Sequence, residues 1–275
     1  MATEAPNQKT ARKLDSLREV GTRIDFGKTA GDYAKHRAGF PETFFERLAA
    51  TGVIRAGMKA LDLGTGTGTV ARGMAMRGLE VTALDKSTAL MEQAKLLDAE
   101  AGVAVRYVEG IAEASGFSDR AFDLVTAGQC WHWFKRDEAA KEARRILKPG
   151  GRLVIAHFDW IALAGNVADA TENLIRANND AWNLWGGTGM YPPWLRDMGV
   201  AGFRQIESFT FDMDTPYSHE AWRGRVRASA GVGASMPPDR VAQFDADLAA
   251  ILTEKFPEPM TVLHRVFAAI GVSAE

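Results

Sequence analysis

Apolar residues along this chain fall into two rhythms that take turns. Short apolar runs at 60–63, 79–84, 103–108, 122–127 and 152–158 have the pattern of parallel strands buried on both faces. Between them apolar residues recur at helical spacing, first Val70, Ala71, Met74 and Ala75, then Leu90, Met91, Ala94, Leu97 and Ala101, then Ala140, Ala143 and Ile146. Ser87 and Asp137 stand where they can cap the second and third of these helices, and Pro149-Gly150-Gly151 stops the third. Upstream, Pro41 suits the first turn of a helix carrying Phe44, Phe45 and Leu48, which would cover the first strand. Alternation this regular from Ala60 to Phe158 predicts a doubly wound, mostly parallel, Rossmann-like α/β sheet.

Beyond Phe158 the alternation breaks. Residues 166–183 read as a helix, and 185–194 form a glycine, proline and aromatic loop too long for a plain connector, which suggests a lid or substrate wall. A strand pattern at 203–213, helices near 219–230 and 239–256, and an antiparallel last strand at 260–270 complete a seven-stranded sheet. The expected organisation is one domain over 26–275, with a lid insertion at about 159–200 and a helical insertion at about 217–257. A mobile or helical arm over 1–25 precedes it.

Composition narrows the partners. With 275 residues, 46% of them hydrophobic and 25% charged, the chain has the make-up of an ordinary soluble globular protein. A net charge of −2 gives no overall pull toward nucleic acid or anionic membranes. No apolar run is long enough to span a bilayer, and the first twenty residues lack an apolar signal core, so a cytoplasmic location is expected. The single cysteine, Cys130, excludes an intrachain disulfide and is a poor nucleus for a metal site.

The candidate chemistry starts at the end of the first strand, where Asp62-Leu63-Gly64-Thr65-Gly66-Thr67-Gly68 leads into a helix. Such a turn lets a ligand approach the backbone, and the helix start offers unpaired amides. A dinucleotide fingerprint requires a third glycine where this chain has Thr69. The acid followed by x-Gly-x-Gly-x-Gly instead resembles the first motif of class I S-adenosylmethionine-dependent methyltransferases. Asp85, at the end of the second strand about twenty residues past the turn, is placed to accept hydrogen bonds from adenosine ribose hydroxyls. Gly128-Gln129-Cys130-Trp131-His132-Trp133-Phe134 and Leu147-Lys148-Pro149-Gly150-Gly151 are similar to stretches of the small-molecule "type 11" group. Tyr33 and Arg37 resemble the Tyr-x-x-x-Arg element of trans-aconitate methyltransferase-like enzymes.

The resemblance implies S-adenosylmethionine as cofactor and S-adenosylhomocysteine as product. It assigns cofactor contacts to Tyr33, Arg37, Asp62, Gly64, Thr65, Gly66, Gly68, Asp85, Lys86, Ile111, Ala112 and Gln129, with Ile111 and Ala112 cupping the adenine and Arg37 meeting the methionyl carboxylate. Methyl transfer from a sulfonium depends mainly on positioning, but a hydroxyl or protonated amine acceptor also needs a base. His132 is the first candidate for that base and His157 the second, whereas a carboxylate acceptor needs none. Trp131, Trp133, Trp182, Trp185, Tyr191 and Trp194 point to an aromatic or apolar acceptor, and Arg223, Arg225 and Arg227 to an acidic one; each set also has an ordinary structural meaning. Nucleic-acid amino-methylating relatives carry Asn/Asp-Pro-Pro-Tyr where this chain has Gly128-Gln129-Cys130-Trp131, which argues for a small-molecule acceptor. A nicotinamide-dependent oxidoreductase and a non-catalytic nucleoside-binding or regulatory protein remain the alternatives.

Overall fold

The computed structural model describes residues 39–182 and 184–274. The N-terminal arm, Tyr33 and Arg37 lie outside the described residues. Helix α1 (Glu42–Ala50) buries Phe44, Phe45 and Leu48. These share a core cluster with Ala60 of strand β1 (Lys59–Leu63), as the apolar spacing predicted. Pro41 is the residue before the helix rather than in its first turn.

Five strands form the parallel part of the sheet: β1, β2 (Glu80–Asp85), β3 (Arg106–Glu109), β4 (Phe122–Gly128) and β5 (Leu147–Trp160). Strand β6 (Phe203–Tyr217) and strand β7 (Met260–Ser273) complete it in the order β3-β2-β1-β4-β5-β7-β6. Strand β7 runs antiparallel to both its neighbours. The sheet is thus the seven-stranded, mostly parallel one expected, with β5, β6 and β7 longer than their apolar runs indicated.

Between the parallel strands lie α2 (Thr69–Ala75), α3 (Thr88–Ala101) and α4 (Arg136–Ile146). The Ser87 hydroxyl caps α3, accepting from the Leu90 amide. Asp137, expected to cap α4, lies inside its first turn. The cap is Lys135, two residues earlier, and Glu113 Oε1 accepts from the Lys135 amide at 2.7 Å, a bond delivered from another loop. In α3 the buried stripe holds Asp98 while Ala101 is exposed. Asp98 is tolerated there because Arg72 pairs with it at 2.8 Å and the Tyr107 hydroxyl donates to it at 2.6 Å.

The two segments that break the alternation pack differently. Helix α5 (Val167–Asn178) joins α7 (His219–Arg227) and α8 (Pro238–Lys255) around Trp222, Phe244 and Leu248, a core of its own above the ends of β6 and β7. Helix α6 (Pro192–Val200) instead sends Trp194 and Met198 into the main core against Trp131, Ile155 and Phe267. No described helix is long and apolar enough to cross a membrane.

Candidate active site

Backbone and side-chain bonds tie the carboxyl ends of the parallel strands into one crevice, the position where open α/β sheets take ligands. The Thr65 amide donates to Leu84 O at 3.1 Å and the Gly110 amide to Asp85 O at 3.0 Å. The Gln129 amide donates to Ala156 O at 2.8 Å, and Cys130 Sγ donates to Leu63 O at 3.1 Å. Cys130 is therefore a buried packing residue, hydrogen-bonded across the sheet. Gln129 takes a left-handed backbone conformation (φ 61°), and its side-chain amide donates to Phe158 O at 2.8 Å, holding the end of β4 to β5.

The glycine turn follows β1 with two different demands for glycine. At Gly64 (φ 60°) a Cβ would stand 2.8 Å from the Phe134 ring and 3.0 Å from Cys130 Sγ, so close packing excludes a side chain. At Gly66 (φ 56°) no heavy atom lies within 4 Å of that point, so the turn opens there. The Gly66 amide points at the end of β2 and donates to Asp85 Oδ2 at 2.8 Å, while Asp85 Oδ1 accepts from the Ser87 amide at 2.8 Å. Gly68 precedes α2 in the left-handed region, and its amide closes the turn on Thr65 O at 2.9 Å. Arg72, not singled out by sequence, donates to Thr67 O at 2.8 Å and braces the turn from behind.

Asp62 faces inward, 1% exposed. Its two oxygens accept from the hydroxyls of Thr65 at 2.7 Å and Thr126 at 2.6 Å. Burial is the main influence on its carboxyl, raising the pKa from 3.8 to about 6; the threonine hydroxyls act the other way, and the Asp85 charge adds a smaller rise. Its place in the site is to hold Thr65 and the turn against β4.

On the third strand's loop, Ile111 is 50% exposed at the crevice, while the Ala112 side chain is buried in the main core. Lys86 is exposed beside Asp85. The structure thus gathers Asp62 through Gly68, Asp85, Lys86, Ile111, Ala112 and Gln129 around the ends of β1 to β4.

The two histidines lie beside each other across the β4 and β5 ends, their rings 5.0 Å apart between centroids. His132 is half-buried on a 3-10 turn (Trp131–Trp133) and packs on Trp133 at 4.2 Å. His157 is 4% exposed, and its Nδ1 lies 2.9 Å from Asp159 Oδ2. That same oxygen accepts from the Tyr191 hydroxyl. Burial works to raise the Asp159 carboxyl, but the adjoining His157 ring, the Tyr191 hydroxyl and the more distant His132 outweigh it and hold it well below the usual carboxylate range. Burial and the Asp159 charge push the Tyr191 hydroxyl well above its ordinary value. Sequence reading missed Asp159, whose signal was its position two residues past His157 on one face of β5.

The aromatic residues divide. Trp131 and Trp194 are core residues, and the Trp131 indole donates to Asp197 Oδ2 at 3.1 Å. Arg136 stands 3.3 Å from the same oxygen. Tyr191 and Trp194 stack at 4.0 Å and flank His157. Trp133 and Trp182 pack on Ala230 and Ala234, and Trp185 is 44% exposed beneath the Arg176 guanidinium. The arginine trio also divides, as spacing on a helix requires. Arg223 and Arg227 pair with Asp245 and Glu220 on the outer face, whereas Arg225, 7% exposed, turns inward over the Trp160 ring. No group of three or more potential metal ligands occurs among the described residues.

Residues 61–155 match the methyltransferase-domain family. An uncharacterized methyltransferase of Mycobacterium tuberculosis is 34% identical over 150 residues, 52% of this chain and 58% of that protein. The chain therefore spans less than two thirds of the mycobacterial relative. A ubiquinone biosynthesis O-methyltransferase of Xanthomonas euvesicatoria is 28% identical over 177 residues, 64% of this chain and 72% of that one. Among solved structures, the YcgJ protein of Bacillus subtilis superposes with a TM-score of 0.56 at 22% identity, covering 86% of this chain and 100% of the other. Phosphoethanolamine N-methyltransferase 2 of Haemonchus contortus, solved with phosphomonomethylethanolamine and S-adenosylhomocysteine, gives 0.55 at 18% identity over 94% and 60% of the two chains. Both superpositions speak for the fold.

Proposed function

We propose that this chain, whose residues 61–155 match the methyltransferase-domain family, takes a methyl group from S-adenosylmethionine and places it on a small molecule. The observation that carries this reading is the Gly66 to Asp85 contact: an open glycine backbone whose amide is held at 2.8 Å by a carboxylate at the next strand end. That pairing suits a nucleoside, because the carboxylate can accept from ribose hydroxyls while the side-chain-free turn lets the ligand lie against the backbone.

The residues that would hold the cofactor are Gly64, Thr65, Gly66 and Gly68 at the turn, with Asp85 and Lys86 at the ribose. Ile111 offers an exposed apolar side chain and Ala112 its backbone to the adenine, and Gln129 fixes the floor between β4 and β5. Asp62 acts from below, through Thr65. Tyr33 and Arg37, outside the described residues, are the ones the resemblance assigns to the methionyl end. When bound, the cofactor supplies an electrophilic methyl on a sulfonium, so the protein has to orient an acceptor and exclude water. The α6 segment and the α5, α7, α8 group are the walls of the acceptor side in this reading.

A small acceptor is favoured by the Gly128 to Trp131 sequence, and the accepting atom is an oxygen, nitrogen or carbon, with the O-methyltransferase relative in line with an oxygen. Thermal unfolding with S-adenosylhomocysteine, with NAD and with neither tests the reading, since a ligand of the native state raises Tm by mass action. A rise with S-adenosylhomocysteine alone supports it. A rise with NAD alone would replace it by a dehydrogenase, and no rise with either by a protein without this cofactor.

A further inference from the structure

His157, Asp159 and Tyr191 form a connected set to which the cofactor site gives no task. Asp159 Oδ2 is shared between His157 Nδ1 at 2.9 Å and the Tyr191 hydroxyl. An ionised carboxylate accepts hydrogen bonds only, so it holds the His157 proton on Nδ1 and leaves the lone pair on Nε2. That Nε2 is buried and has no hydrogen-bond partner. Leaving a buried polar atom unpaired costs about 1–3 kcal/mol, so its persistence calls for an explanation. The ring is walled by Tyr191 at 4.7 Å, Trp194 at 4.9 Å and His132 at 5.0 Å, with the Asp159 carboxylate on its other nitrogen. Among candidates elsewhere, Arg225 is buried over the Trp160 ring and His264 is buried with its Nδ1 3.0 Å from Val262 O.

We infer that His157 is the proton acceptor of the methyl transfer, that Asp159 and Tyr191 are its positioning residues, and that the methyl acceptor is a protic group, a hydroxyl or a protonated amine, rather than a carboxylate. The inference rests on the methyltransferase reading above. As the acceptor's oxygen or nitrogen bonds to the methyl carbon, the carbon–sulfur bond breaks, the sulfur keeps that electron pair as a thioether, and the acceptor's proton passes to Nε2. The positive charge of the sulfonium thus ends on the His157 ring, 2.9 Å from the Asp159 carboxylate. A carboxylate acceptor releases no proton and would give this set nothing to do. Tyr191 reaches Asp159 from the start of α6, and α6 is anchored through Asp197 to Trp131 and Arg136, so the set is assembled only when α6 is docked.

The test uses the full chain and needs no known acceptor. Long-range 1H–15N correlation of the imidazole groups, with His157→Gln identifying the signal among five histidines, reads the tautomer directly. The wild type is expected to hold the Nδ1–H form, Asp159→Asn to lose that preference and Tyr191→Phe to weaken it. A wild-type Nε2–H form, or an Asp159→Asn spectrum unchanged from it, overturns the inference. A second readout transfers labelled methyl to catechol, ethanolamine or benzoate. Labelling of catechol or ethanolamine, reduced about 100-fold or more in His157→Gln with S-adenosylhomocysteine affinity retained, supports it. Labelling of benzoate at equal rates with and without His157 refutes it. Failure of S-adenosylhomocysteine to bind the wild type would remove the methyltransferase reading itself, whereas binding accompanied by the Nε2–H form would remove this inference alone.

Discussion

Replacing Asp62 by asparagine removes the charge beneath the glycine turn while leaving a side chain of the same shape between Thr65 and Thr126. The carboxyl's pKa is about 6 in the folded chain against 3.8 when exposed, mainly through burial. The folded state therefore binds a proton more readily than the unfolded one. This contribution favours folding fully below pH 4, declines between pH 4 and pH 6, and is gone above that. The interval between the two values corresponds to roughly 3 kcal/mol at about 1.4 kcal/mol per tenfold change. Asparagine carries no such dependence. Any fixed cost of reorienting its amide toward the two hydroxyls is the same at every pH. Measured by urea unfolding, the stability of Asp62→Asn relative to wild type should improve by about 3 kcal/mol between pH 4 and pH 7.5. In thermal unfolding that is a relative rise of about 6 °C, at roughly 2 °C per kcal/mol for a chain of this size. Because only the difference between the two proteins is read, titrating groups that do not interact with Asp62 cancel, and Asp85, whose charge adds only the smaller rise, is the coupled group that stays. Parallel pH–stability curves would refute the argument that Asp62 is a desolvated brace.

Three further outcomes are expected. Asp85→Ala removes a charged acceptor worth about 1.5–3 kcal/mol, so the Kd for S-adenosylhomocysteine in calorimetry should rise about 10- to 100-fold, and an unchanged Kd would cancel its ribose assignment. Gly66→Ala meets open space and should cost about 1–2 kcal/mol of backbone strain together with ligand affinity. Gly64→Ala collides with Phe134 and Cys130 and should cost clearly more stability; equal losses in urea unfolding would count against the packing described. Arg136→Met leaves the buried Asp197 carboxylate without its cation and should destabilise the fold by about 3 kcal/mol at neutral pH, a loss below 1 kcal/mol being the contrary result.

What is legible in the sequence is what neighbouring residues decide among themselves. The apolar run ending at Leu63, the glycine turn after it and the acid closing β2 all express backbone preferences and periodicity within a few residues. The strand end at Asp62 is legible locally, but its role as a brace is not, because its second hydroxyl partner, Thr126, lies 64 residues away. Asp159 and Tyr191 are 32 residues apart and meet only because α6 docks on the main core. The start of α4 is fixed by Glu113, 22 residues before Lys135, where the local sequence favoured Asp137. For the arginines at 223, 225 and 227 the helical repeat implies two faces, but which face turns inward depends on Trp160 and Asp245, and these come from other elements.

Strand β7 lies between β5 and β6 although it is translated after both. Until it emerges from the ribosome, β5 presents an open edge from Arg152 to Trp160 and β6 has no neighbour in the sheet. At synthesis rates of about 5–20 residues per second, the stretch from the end of β6 to the end of β7 takes roughly 3–10 s. For that interval the nascent chain carries two unpaired ladder edges, the kind of surface that recruits other strands. The placement of β7 therefore makes the emergence of that one strand the moment at which the facing edges of β5 and β6 are closed to other strands.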